Sequence, residues 1–202
     1  GERTGEKGFK EAPIFVNNRT VPGIGGGICQ LSSTIYNVAL LMDLEIIERS
    51  NHSLPVSYVP LGRDATVNYG TIDFKFKNTT KGHLLIKCKV EDDTLTVSFF
   101  GHEKPDEAIE LHSEVVRKIP PPVRTINDDN LEEGKTNLIP GSPGYQVKLY
   151  KVYGGEKGEK ILVSADTYNP VPSVLYVGKK KPQQEISSQA DVRDDNLTTQ
   201  LD

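Results

Sequence analysis

Cys29 is the residue in this chain with the strongest sequence context for chemistry. It closes PGIGGGICQ, in which Gly23, Gly25, Gly26 and Gly27 lead directly into an apolar-periodic run. Glycine reaches backbone conformations closed to other residues and lets a ligand or another backbone come close. A cysteine placed where such a loop becomes a helix lies beside unpaired N–H groups and the positive end of the helix dipole. That setting lowers a thiol's pKa and favours a thiolate nucleophile. Backbone N–H groups around Gly26, Gly27, Ile28, Cys29 and Gln30 would also suit an oxyanion, as acyl transfer requires. The competing reading is a packed structural thiol beside a glycine turn.

A thiolate of this kind needs a base, and His52, in Asn51-His52-Ser53-Leu54-Pro55, is the candidate. A thiol–imidazole pair requires only spatial nearness. Arg63 and Asp64 follow: the aspartate would fix the imidazole tautomer, and the arginine would hold a substrate carboxylate by a paired fork. Alone, the same pair reads equally well as a surface salt bridge in a turn. Helical spacing puts Ser33 and Tyr36 on the side of Cys29, to line a site or to cap and pack.

The elements that must position these groups come next. Ile14–Val16 reads as a strand, with a turn at Asn17-Asn18 and a short return that delivers the glycine loop. From Gln30 to Met42, Leu31, Ile35, Val38 and Met42 recur at helical spacing, with Ala39 and Leu41 widening the stripe. LEIIERS reads as a strand through its β-branched Ile46 and Ile47. Pro55 and Pro60 exclude a helix from the segment that carries His52, Arg63 and Asp64. TIDFKFKN alternates as a strand, and HLLIKCKV with TLTVSFFG reads as a hairpin, where Cys88 would be a half-buried structural thiol. The first hundred residues thus predict one helix and six strands.

Beyond His102, KIPPPVRTINDDNLEEGK is rich in proline and acids and has no helical period. YQVKLYKVY and KILVSADTYN then form a hairpin through GGEKGE, and SVLYVG is a last strand. The fold class expected is α+β: one main helix on a mostly antiparallel sheet over 1–102, a linker over 103–114, a small all-β module over 115–179 and a disordered tail over 180–202. The 202 residues carry a net charge of −4, which gives no electrostatic argument for nucleic acid. No apolar run approaches the ~20 residues of a membrane span. Cys29 and Cys88 allow one disulfide at most, and there is no Cys/His spacing for zinc, so no metal or other cofactor is expected. The start GERTGEKGFK, with neither initiator Met nor leader, reads as an excised or mature piece whose upstream anchor would be the only tie to a membrane.

Taken together, PGIGGGICQLSSTIYNVALL, HSLPVSYVPLGRDATVNYG and DFKFKNTTKGHLLI resemble the VanW domain family over residues 1–101. That family usually has a few more residues before this point. Residues 115–179 resemble a G5 domain, a small β module often attached to cell-wall enzymes and adhesins of Gram-positive bacteria. The resemblance implies an extracellular, peptidoglycan-linked protein in the bacterial envelope, with stem peptides as partners of the first unit and N-acetylglucosamine-containing glycan of the second. The family's name comes from a glycopeptide-resistance cluster. The resemblance further implies L,D-transpeptidase chemistry with Cys29 as nucleophile and His52 as base, joining stem peptides by 3→3 cross-links. Two other functions fit the same residues: a non-catalytic wall-binding module, and an L,D-carboxypeptidase with water as acceptor.

Overall fold

The computed structural model describes residues 1–16, 19–155 and 158–180. The expected turn at Asn17-Asn18 lies outside these residues, as does nearly all of the expected tail. The first half opens with the antiparallel pair β1 (Glu11–Val16) and β2 (Arg19–Ile24), which runs into helix α1 (Ile28–Leu41). Gly27 caps the helix with a left-handed φ of 86°, and Asp43, at φ 53°, turns the chain out of it. After α1 come β3 (Glu45–Glu48), β4 (Lys75–Lys77), β5 (Leu85–Glu91) and β6 (Thr94–Phe100), giving six strands in this half among the described residues.

These six strands form three separate antiparallel pairs, β1–β2, β3–β4 and β5–β6, where one mostly antiparallel sheet was expected. The irregular stretch between β3 and β4 carries Pro55 and Pro60, which have no N–H to extend a ladder. Cys88 is also corrected: it is exposed on β5, whose seven residues are all exposed, and both cysteines are free thiols.

The second half is all β. β7 (Ile109–Ile119), β10 (Gly144–Tyr153) and β11 (Lys160–Tyr168) form one sheet in the order β11-β10-β7. β8 (Val123–Glu132), β9 (Thr136–Ile139) and β12 (Ser173–Lys180) form the other, with β12 central, parallel to β8 and antiparallel to β9. Residues 109–114, expected in the linker, are the start of β7. Their apolar positions give too weak an alternation to announce it, and the long pairing with β10 supplies the stability.

The two halves share a core. Tyr36, Leu40 and Ala65 from the first half bury themselves with Leu149 from β10, flanked by Ile46, Phe74, Leu111 and Val163. The buried face of α1 differs from the expected apolar stripe. Ser32, Ser33, Tyr36, Asn37, Ala39 and Leu40 are buried, whereas Leu41 is 40% exposed. The polar members of this face are satisfied by the backbone of residues 63–65, and that stitching fixes the site.

Candidate active site

Three side chains of α1 hold the 63–65 segment by its backbone. Ser32 Oγ donates to Ala65 O at 2.6 Å, and Ser33 Oγ accepts the Ala65 N–H at 2.9 Å while donating to Cys29 O at 2.6 Å. Asn37 Nδ2 donates to Arg63 O at 2.7 Å, and Arg63 Nε donates to Asn37 Oδ1 at 2.6 Å. Next along, Thr66 N–H donates to Ser50 O at 2.8 Å, drawing the segment that carries His52 alongside. Asp64 is therefore set between the helix and the His52 loop, 1% exposed.

Asp64 Oδ2 accepts the backbone N–H of His52 at 2.7 Å and lies 2.6 Å from His52 Nδ1. A carboxylate at Nδ1 keeps a proton there and leaves Nε2 to face the reacting group. Tyr58 Oη lies 3.3 Å from that Nε2. Cys29, in the first turn of α1, is half-buried, with Sγ 3.7 Å from Thr66 Oγ1 and 3.6 Å from Val67 O.

Burial alone would push the Cys29 thiol up. It is outweighed by the His52 imidazole, then by the backbone at Val67 and the Thr66 hydroxyl, and the thiol falls from its ordinary 9.0 to about 7. For His52, burial favours the neutral ring, but Asp64 and then Cys29 outweigh it and raise the imidazole to about 9. With the thiol at about 7 and the ring at about 9, thiolate and imidazolium coexist chiefly between those two values. Asp64 is held below the usual carboxylate range: burial opposes this, and hydrogen bonds from His52 and Tyr168, with the charge of Arg49, prevail.

The helix start supplies donors. Leu31 N–H already bonds Gly27 O at 3.1 Å, so the N–H groups of Ile28, Cys29 and Gln30 precede the first intrahelical bond. Gly27 is exposed, and a Cβ built on it would meet no atom within 4 Å. Gly26 packs tightly on β1: a Cβ built on it would overlap Ala12 Cβ and Ala12 C, so only glycine lets β1 lie this close. Ser33 is fully buried and acts as a clamp between helix and loop. Tyr36 is in the core, 1% exposed, edge-on to Phe74 and under the Arg49 guanidinium at 5.1 Å. Neither has surface to offer a substrate.

Arg63 is committed through Nε to Asn37, about two turns along α1 from Cys29. The cation that pairs with Asp64 is instead Arg49, whose Nη2 is 3.3 Å from Oδ1 and whose Nε donates to Asp64 O at 2.7 Å. Arg49, Tyr58 and Thr66 were not singled out by sequence reasoning. Nothing in their spacing marks them, because each acts through a fold contact. A groove of about 440 Å³, lined in part by Arg3, Asn68, Tyr69 and Lys75, contains none of the site residues. A cavity of about 800 Å³ between the end of α1 and β11 contains none of the site residues. Among the described residues, no group of three or more His, Cys, Asp or Glu side chains is arranged to hold a metal ion, and no helix is long and apolar enough to cross a membrane.

The titration has a direct readout. In a Cys88→Ser background, where Cys29 is the only thiol, the iodoacetamide alkylation rate should reach half its plateau near pH 7. His52→Ala should move that midpoint upward, towards the ordinary thiol value.

Comparisons with known proteins divide the chain into two regions. The model of the family described as VanW like protein matches residues 1–100, and that of the G5 domain matches residues 110–180. The chain is 38% identical over 134 residues to the uncharacterized protein YoaR of Bacillus subtilis (strain 168), covering 66% of this chain and 42% of that one. It is 31% identical over 102 residues to the vancomycin B-type resistance protein VanW of Enterococcus faecalis (strain ATCC 700802 / V583), covering 48% of this chain and 37% of that one. The chain thus spans about two fifths of the length of these curated relatives. A solved IgA1 protease G5 domain aligns at 24% identity with a TM-score of 0.29, covering 40% of this chain and 98% of that one. The chain carries a VanW-like region over residues 1–100 followed by a G5 domain over residues 110–180.

Proposed function

We propose that this is a cell-wall-associated cysteine acyltransferase that joins peptidoglycan stem peptides on the outer side of the bacterial membrane, in the manner of an L,D-transpeptidase. The observation that carries the reading is the His52–Asp64 pair coupled to Cys29 at the start of α1, with the thiol lowered by the imidazole and the imidazole raised by Asp64 and the thiol. The match to a VanW-like family and to a relative named for vancomycin resistance supports a wall setting. The G5 domain is proposed to hold N-acetylglucosamine-containing glycan near the site.

In the first step Cys29 Sγ attacks the carbonyl carbon of the third residue of a donor tetrapeptide. The oxyanion lies against the N–H groups at the start of α1. The bond from that carbonyl to the terminal D-alanine nitrogen breaks as the His52 imidazolium gives its Nε2 proton to the departing amine. In the second step the side-chain amine of an acceptor stem loses a proton to His52 and attacks the thioester, and the Cys29 thiolate leaves. Because both the thiolate and the imidazolium are required, kcat/KM for acylation should be bell-shaped, rising near pH 7 and falling near pH 9.

The reading is tested by incubating the protein with a purified disaccharide-tetrapeptide and following products by mass spectrometry. A 3→3 linked dimer with release of alanine is the expected result. Tripeptide alone would convert the assignment to an L,D-carboxypeptidase. Unchanged tetrapeptide, with binding retained, would leave a non-catalytic wall-binding module.

A further inference from the structure

Only one oxygen of the Asp64 carboxylate serves His52. The other, Oδ1, receives the hydroxyl of Tyr168 and, at 3.3 Å, Nη2 of Arg49. Tyr168 ends β11, in the G5 domain, and is 0% exposed. Its hydroxyl oxygen also accepts the Gly62 N–H at 2.7 Å, two residues before Asp64. Arg49 is held from the same strand: Nη1 donates to Asp166 Oδ1 at 2.6 Å, and Asp166 Oδ2 accepts from Ser164 at 3.0 Å. The backbones are joined as well. Asn51 Nδ2 donates to Thr167 O at 3.0 Å, and Asn169 N–H donates to Ser53 O at 2.7 Å. The end of β11 therefore lies against both segments that build the site, residues 49–53 and residues 62–64.

We infer that the G5 domain completes the reactive site of the VanW-like half, with Tyr168 as a positioning residue that sets the Asp64 carboxylate and, through it, the His52 imidazole. The inference rests on the Cys29–His52–Asp64 reading above. A buried carboxylate bonded at one oxygen alone is free to turn about its last torsion, which is broad. Donors on both oxygens remove that freedom, and no solvent replaces them at 1% exposure. Gly62 adds a constraint of its own. At φ 83° it takes a left-handed turn that side chains rarely adopt, and that turn sets the loop against Leu149 and Val147 on β10. In this view the G5 domain is part of the chemistry, beyond any role in holding glycan.

The test uses the full chain in the Cys88→Ser background and reads Cys29 alkylation against pH. Tyr168→Phe should lower the rate at pH 7 about threefold to tenfold, the range of one net hydrogen bond, and shift the midpoint upward. Tyr150→Phe should leave the profile unchanged; its ring packs under Lys160 Nζ at 4.0 Å, away from the site. A merely structural Tyr168 would lower the denaturation midpoint while its alkylation profile superimposed on the parent's, and that result overturns the inference. If Tyr168→Phe does not fold, Asp166→Asn decides: an upward shift supports the inference and an unchanged profile overturns it. The His52→Ala control separates the two levels. If it shifts the profile and Tyr168→Phe does not, only the inference falls. If neither shifts it, the thiol–imidazole pair itself has failed.

Discussion

Cys29→Ala should reduce cross-link formation by on the order of 10⁴-fold or more, with no loss of fold. The size follows from removing the only atom that can hold the acyl group, as in hydrolases where loss of the nucleophile costs as much as loss of the whole triad. Stability should hardly change, because the thiol is half-buried and its contacts to Thr66 and Val67, at 3.7 and 3.6 Å, are long. Cys29→Ser is the sharper comparison. A hydroxyl in the same place has a far higher pKa than a thiol, so the surroundings that bring the Cys29 thiol down to about 7 leave a serine un-ionised near neutrality. Serine should therefore fail almost as fully as alanine. Rates measured with a tetrapeptide donor, alongside urea denaturation of each variant, check both halves of the expectation.

Arg49→Ala should have the largest effect on stability, about 3–5 kcal/mol, the range for removing one partner of a buried ion pair. The side chain is 6% exposed, and its two carboxylate partners, Asp64 and Asp166, are 1% and 7% exposed. Its loss takes a cationic partner from both carboxylates and leaves Gly62 O and Asp64 O without their side-chain donors. Lysine should rescue little, since a single ammonium cannot reach four acceptors with a planar fork. The deficit should depend on pH. Asp64 is held below its unfolded value of 3.8, so the stability it contributes is fully present above that value and is lost as pH falls through the lower, folded one. Arg49→Ala should consequently approach the parent in stability under acid conditions. Urea denaturation at neutral and acid pH measures this. Since Arg49 ties residues 49–64 to β11, a single unfolding transition for both halves is expected as well, in keeping with their shared core.

The sequence made the ends of this site legible and its middle obscure. Glycine followed by cysteine at a helix start is a local pattern, and it located both α1 and its donors. His52 and Asp64 could be named because each lies in a Pro-bounded loop with few other titratable groups. Their partners could not. Asp64 pairs with Arg49, 15 residues away, where Arg63 next to it had seemed the cation, because the Arg63 side chain is drawn to Asn37 on the helix. Tyr168 and Asp166 act on residues 104 and 117 positions away, and no period or spacing encodes such a contact. The same limit explains the missed strands β7, β8 and β9: apart from Ile109 they hold no fully buried residue, and they are strands through pairing with β10 and β12. The rotated face of α1 has a related cause. Ser32, Ser33 and Asn37 look like solvent-facing residues until the loop they bind is known.

Everything proposed for this site turns on Cys29 carrying the acyl group. Its most direct test is to mix the protein with a tetrapeptide donor and no acceptor, quench in acid within the first turnover, and weigh the intact protein. A single adduct with the mass of the donor less alanine is expected, mapped to Cys29 and absent from Cys29→Ala. Cross-linked product formed without any such adduct, or an adduct that persists in Cys29→Ala, would contradict it.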